Sequence, residues 1–254
     1  MTMLDSLTIT KPEVVAAYAS QARKVYGEGD TQVVALDSVD VSFGAGEFTA
    51  IMGPSGSGKS TLMHSLAGLD RLTSGQVVIG DVELSKLSEK DLTLLRRTKI
   101  GFVFQAFNLI PTLTAQENIT LPLDLGKSKP DQAWVNEVVR AVGLADRLGH
   151  KPNELSGGQQ QRVAVARALA SRPEVVFADE PTGNLDSQTG AAILDFMANA
   201  VRQYRQTIVM VTHDPVAASY ADRVLFLADG QIRSELRNPD TDSILASLRE
   251  STQH

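Results

Sequence analysis

The chain has 254 residues, 43% apolar and 21% charged, with a formal net charge of −6. That is enough sequence for one globular domain, and too acidic a balance for a surface built mainly to grip nucleic-acid phosphates. There is no cysteine, which excludes disulfides, thiolate metal sites and thiol nucleophiles. No run approaches the roughly 18 apolar residues of a membrane span, and the opening residues carry Asp5 without a basic cluster ahead of an apolar run, so a cytoplasmic protein without a signal peptide is expected.

In chain order, residues 1–20 show no clear period and read as a loosely held extension, with Pro12 to Lys24 admitting the start of a short helix. From Val33 the pattern turns β-rich: VVALDSVDVSF, then FTAIM, a buried-strand pattern that stops at Gly53. The segment STLMHSLAGL beyond it is amphipathic. Further apolar runs follow at IGFVF (100–104), EVVFA (174–178), TIVMVT (207–212) and RVLFL (223–227), with helical stretches between most of them. Strands alternating with helices predict an α/β fold with a largely parallel sheet. Residues 106–158 differ, being helical and loop-like with Pro111, Pro122, Pro130 and Pro152 as punctuation, and read as a lobe inserted into that core. Within it, Trp134 with Val135, Val138, Val139 and Val142 at helical spacing reads as lobe core. Just before it, Arg96 and Arg97 read as a solvated helix end, or alternatively as a contact to a membrane partner.

Four of the apolar runs share one property. FTAIM ends in a glycine loop, IGFVF in Gln105, EVVFA in Asp179-Glu180 and TIVMVT in His213. In open α/β sheets ligands bind beyond the carboxyl ends of the strands, so that edge is the expected active site. The loop Gly53, Pro54, Ser55, Gly56, Ser57, Gly58, Lys59, Ser60, with Thr61 after it, matches G-x-x-x-x-G-K-[ST] between a strand and a helix. Its backbone N–H groups suit phosphates, Lys59 suits the β and γ oxygens, and the Ser60 hydroxyl suits Mg²⁺. Asp179 is placed to reach the same cation from a neighbouring strand end. Glu180, pointing elsewhere, is then free to deprotonate a water; the alternative is an Asp-Glu turn before Pro181. Gln105 could sense the metal or the attacking water from the adjacent strand, and His213 could donate to a γ-phosphate; either could also be an ordinary strand-end residue. The stretch NELSGGQQQRVAVARALA offers Ser156 as an N-cap and Gly157-Gly158 outside a helix that continues from Gln159, a second anion-binding helix start. Two such sites suit opposite faces of one nucleotide, whether from one chain or two.

GPSGSGKST, Gln105, LSGGQQQR, VVFADEPTGNLD and His213, in this order, resemble the nucleotide-binding subunit of an ATP-binding cassette (ABC) transporter over roughly residues 20 to 232. The resemblance implies a P-loop NTPase core, an antiparallel β subdomain and an inserted helical subdomain at about 106–158. It places the ATPase domain at 21–233, between an extension (1–20) and a tail (234–254). It implies ATP and Mg²⁺ as cofactors, with Ser60, Gln105 and Asp179 at the metal and Glu180, His213, Gln105 and Lys59 as catalytic residues. Two subunits would pair head to tail, so that Ser156, Gly157, Gly158 and Gln159 meet the γ-phosphate on the partner; Asp186 lies in the D-loop, and Tyr26 stacks on adenine or is an ordinary strand residue. Finer stretches, IGFVFQAFNLIPTLTAQENITLPL, ADEPTGNLDS and VTHDPVAASYADRVLFLADGQI, resemble the macrolide-export and lipoprotein-release (MacB/LolD) group, including Bce-type resistance ATPases. That group implies a homodimer bound at the cytoplasmic face of the cell membrane to a separate permease, a four-span MacB/FtsX-like protein, docked near Phe107 to Pro122, with no nucleic acid involved. A division regulator of the FtsE kind, moving no cargo, is the competing implication.

Overall fold

A computed structural model describes residues 14–126 and 131–251. The elements in order are β1 (Val15–Tyr26), β2 (Val33–Gly44), β3 (Phe48–Met52), α1 (Lys59–Leu66), β4 (Ser74–Ile79), β5 (Val82–Glu83), α2 (Glu89–Lys99) and β6 (Ile100–Phe104). The inserted lobe supplies α3 (Ala115–Gly126), α4 (Gln132–Ala141) and the start of α5 (Gly157–Leu169). The chain returns through β7 (Val175–Asp179), α6 (Ser187–Tyr204), β8 (Ile208–Val211), α7 (Pro215–Ala218), β9 (Arg223–Ala228), β10 (Gln231–Arg237) and α8 (Thr241–Ser251).

Two sheets result. The larger runs β10-β9-β3-β8-β7-β6, parallel throughout except for the edge strand β10. The smaller runs β2-β1-β4-β5, all antiparallel. Strands β3, β8 and β9 are buried at every residue, as a parallel sheet covered on both faces requires. Side-chain alternation divides them between two cores. Phe48, Ala50 and Met52 join Met210 and Phe226 against α5 and α6, while Ile51, Val209, Val211 and Leu225 face α1 and the smaller sheet. The lobe core is as expected: Trp134, Val135, Val138, Val139 and Val142 are all buried. The Trp134 indole N–H donates to Leu169 O at 2.9 Å, which anchors α4 to α5.

Three expectations need correction. Residues 1–13 lie outside the described residues, but from Val15 the chain is a strand, not an extension or a helix. Ala17, Ala19 and Ala22 pack in the core, and pairing with both β2 and β4 overrides the helical preference of these alanines. At the other end, the tail is strand and helix: β10 runs through residue 233 and α8 seats Ile244, fully buried, in the core. Pro122, expected as punctuation, sits inside α3; Pro130 lies outside the described residues.

Candidate functional site

The carboxyl edge of the larger sheet gathers the expected groups. After β3 the chain turns at Gly53 with φ of 148°, where an added Cβ would lie 2.0 Å from Leu227 O. It turns again at Gly58, with φ of 100° and a Cβ position 2.3 Å from Ala35 O. Neither position admits another residue, so the loop is forced into its curve by glycine. Pro54, Ser55 and Gly56 form its exposed tip, and Ser57 is tucked beneath, its carbonyl accepting from Gly230 N at 3.0 Å. Helix α1 starts at Lys59 with no side-chain cap, which leaves its first N–H groups for an anion. Ser60 is exposed on that first turn and Thr61 half-buried.

The Lys59 ammonium donates to Gly53 O (2.9 Å) and Pro54 O (2.7 Å). Burial lowers its pKa, opposed by the charges of Glu180 and Asp179. Asp179 ends β7. Burial pushes its carboxyl up, the Glu180 charge adds to that, and His64 and Lys59 oppose it. The sheet order corrects one expectation: β8 stands between β3 and β7, so Asp179 comes from the next strand but one.

Glu180 adopts φ of 46°, unusual for a non-glycine residue, held there by its N–H to Val211 O at 2.9 Å. The turn aims its carboxylate at the end of β8. There Oε1 accepts from His213 N (3.1 Å) and lies 2.7 Å from His213 Nδ1, and Oε2 accepts from Thr212 Oγ1 at 3.3 Å. Thr212 was not singled out from the sequence, although it directly precedes His213. A half-buried carboxylate oriented by a histidine and a hydroxyl is equipped to take a proton.

Gln105 is positioned differently. Its exposed side chain donates to Asn184 Oδ1 (3.2 Å), and Asn184 Nδ2 donates back to Gln105 O (2.9 Å), tying it to the loop after Glu180. Ser156 does cap α5: its Oγ accepts from Gln159 N (3.3 Å) while Gln159 Oε1 accepts from Ser156 N (2.9 Å), a reciprocal capping box. That helix begins at Gly157, two residues before the expected Gln159. The two glycines also separate. Gly157 is exposed, but a Cβ on Gly158 would lie 2.2 Å from Thr189 Cγ2, so Gly158 is required by its own α6. Thr189 is in turn bound by Asp186, whose carboxylate accepts from Thr189 N (2.9 Å) and Oγ1 (2.7 Å) as the N-cap of α6. Among the described residues no hydrogen bond joins the 156–159 turn to the glycine loop. Tyr26 ends β1, 43% exposed.

A strand, a glycine-lined anion loop with its lysine, and a strand-end Asp-Glu pair define a P-loop ATPase. Comparison with known proteins gives the family. A model described as "ABC transporter" matches residues 36–183. The bacitracin export ATP-binding protein BceA of Halalkalibacterium halodurans is 43% identical over 87% of this chain and 88% of its own. The macrolide export ATP-binding/permease protein MacB of Bdellovibrio bacteriovorus is 45% identical over 85% of this chain and 33% of its own. Among solved structures, the dimeric post-hydrolysis state of the ATP-binding cassette MJ0796 of Methanocaldococcus jannaschii, bound to ADP and Pi, superposes with a TM-score of 0.79 at 41% identity, covering 88% of this chain and 99% of that one. The chain belongs to the ABC transporter family, as an ATP-binding, ATP-hydrolysing component.

Proposed function

We propose that this chain works as a homodimer energising a separate MacB- or Bce-type permease, of the four-span kind its resemblance implies, from the cytoplasmic face of the membrane. Among the described residues no helix is long and apolar enough to cross a membrane, so the path for any cargo belongs to that partner. The observation that carries the reading is the glycine loop, with Lys59 bound to the Gly53 and Pro54 carbonyls, at the sheet edge where Glu180 follows Asp179 and is oriented by His213.

In this reading the loop N–H groups, the start of α1 and Lys59 bind the triphosphate. The donor set suits Mg²⁺: the Ser60 hydroxyl is exposed on the first turn of α1 and the Asp179 carboxylate ends β7 at the same sheet edge, and Mg²⁺ typically uses one or two protein oxygens beside substrate phosphates. Ser60 and Asp179 would hold it, with Gln105 nearby, and when bound it neutralises charge developing on the phosphoryl oxygens. Glu180 takes the proton of the attacking water at Oε1 or Oε2, and His213 keeps that carboxylate in place. Lys59 stabilises the transferring phosphoryl group. Ser156, Gly157, Gly158 and Gln159 of one copy close over the triphosphate of the other, with Asp186 beside them; affinity gained only in the closed pair is what moves the permease.

The docking face lies between α2, β6, α3 and α5, where a groove of about 390 Å³ is lined by Arg97, Phe102, Phe104, Leu121, Pro122 and Leu125 among others. Leu94, Ile110 and Leu125 are exposed large apolar residues in these elements or beside them, a pattern that suits a partner helix. Arg96 also belongs here: it donates to Gly68 O at 3.1 Å and lines the same groove, so it is not a merely solvated helix end.

The test is Glu180→Gln. It should bind ATP, lose most turnover and accumulate as a dimer in light scattering with Mg²⁺ and ATP. Near-normal turnover would remove Glu180 from its role.

A further inference from the structure

Tyr26 is an exposed aromatic with an unusual set of restraints. Lys24 and Tyr26 lie on the same side of β1, the lysine ammonium over the tyrosine ring. The Tyr26 hydroxyl donates to Asp70 Oδ2, and Asp70 Oδ1 accepts from the Lys24 ammonium. The same ammonium lies 4.8 Å from the Tyr26 ring centroid, a cation–π distance, and donates to Arg71 O at 2.7 Å. Lys24 is therefore clamped by a carboxylate and a backbone carbonyl, and it covers one face of the ring. Only 12% of the Lys24 side chain and 30% of the Asp70 side chain are exposed, against 43% for Tyr26.

A tyrosine used for packing buries its ring and leaves its hydroxyl wet. Here the hydroxyl and one ring face are secured and the remainder is left open, beside Val33, the cross-strand partner of Tyr26, itself 61% exposed. The Tyr26 hydroxyl also interacts with Thr61, on the first turn of α1 beside Lys59 and Ser60, so the tyrosine lies in the neighbourhood of the phosphate loop. Burial works to raise the Asp70 pKa, but hydrogen bonds from Lys24 and Tyr26 prevail and hold it below the usual carboxylate value. The anchor is thus charged at neutral pH.

We propose that Asp70 and Lys24 are positioning residues that hold the Tyr26 ring with one face presented to the base of a nucleoside triphosphate. This rests on Tyr26 being the base platform. Fixing the ring beforehand removes the rotamer freedom that stacking would otherwise have to freeze. The contribution belongs to the base alone, since neither residue reaches the phosphate loop through a hydrogen bond.

The test uses the full chain and four variants, Tyr26→Ala, Tyr26→Phe, Asp70→Asn and Lys24→Met, each measured for binding of ATP and of inorganic tripolyphosphate by calorimetry, and for kcat and KM. Tyr26→Ala should weaken ATP about tenfold or more, as expected for loss of a base–aromatic stack. Asp70→Asn, Lys24→Met and Tyr26→Phe, which keeps the ring but loses the hydroxyl, should each weaken ATP by about fivefold to tenfold, within the lower part of that stacking range. In all four, tripolyphosphate binding should stay at wild-type level, and in the last three KM should rise with kcat retained. If Tyr26→Ala weakens ATP but the other three do not, the positioning role is overturned and the platform survives. If Tyr26→Ala leaves ATP binding unchanged, the platform itself fails. Equal loss of ATP and tripolyphosphate would mark a distorted phosphate loop and overturn the proposal. Should Asp70→Asn not fold, Tyr26→Phe and Lys24→Met decide the matter.

Discussion

Substituting Gly158 by Ala tests why the turn before α5 carries glycine. The new Cβ would lie 2.2 Å from Thr189 Cγ2, far inside van der Waals contact. Thr189 cannot simply rotate away, because its Oγ1 is bound to Asp186 Oδ2 at 2.7 Å and its N–H to Oδ1 at 2.9 Å. Overpacking of this kind costs about 1–3 kcal/mol, while replacing a helical glycine by alanine returns up to about 1 kcal/mol. With the full alanine gain the single variant should therefore lose up to about 2 kcal/mol, a Tm drop of up to several degrees at roughly 2–4 °C per kcal/mol for a chain of this size. Thr189→Ser removes the clashing methyl and keeps the hydroxyl bonded to Asp186. In that background Gly158→Ala should be neutral or stabilising, giving a coupling of about 1–3 kcal/mol in a double-mutant cycle. Urea unfolding of the four proteins measures it. Equal cost in both backgrounds would show that Thr189 is not what requires the glycine. If the double variant folds normally yet loses ATPase, Gly158 is also needed where the second copy's nucleotide meets it.

The remaining predictions concern the other parts of the site. Ser156→Arg should abolish ATPase while one chain still binds nucleotide at its own glycine loop; loss of that binding in calorimetry would contradict a site shared between copies. Gly53→Ala should fail to give a stable, ATP-binding protein, because its Cβ would meet Leu227 O at 2.0 Å at a φ of 148°; wild-type melting and ATP affinity would refute this. Hydrogen bonds from Thr189 lower the Asp186 pKa, so this carboxylate adds stability above its unfolded-state value and that stability is lost as pH falls through its folded-state value. Asp186→Ala should thus melt below wild type at neutral pH, with the gap narrowing in acid; a gap independent of pH would show that ionisation of the cap is immaterial.

What the sequence reveals depends on how local the cause is. The five parallel strands were readable because a strand covered on both faces reads as a near-continuous apolar run, as FTAIM and TIVMVT do apart from their threonines. Strand β1 was not, since its alanines favour helix and only pairing to β2 and β4 makes them a strand. The extent of β10 past residue 233 escaped for a similar reason: QIRSELR has polar residues at an edge where one face is wet. The phosphate loop, Asp179, Glu180 and His213 were legible because each sits directly after an apolar run. Asn184 holding Gln105 is a contact between residues 79 apart in sequence, and Lys24 meets Asp70 across 46. No local pattern announces either. Gly158 was read as part of an anion-binding helix start; that it also makes room for Thr189 of its own chain is a contact local sequence does not announce.

Thr189 has a consequence for assembly. By packing on Gly158 and binding Asp186, it joins the tip of α5 to the start of α6, two stretches that lie 30 or so positions apart yet share one short side chain. Both are therefore expected to shift as a single template rather than as separate fingers. In the proposed dimer little ordering entropy is then left to be lost on assembly, and motion imposed on one stretch is passed to the other without a new contact being made.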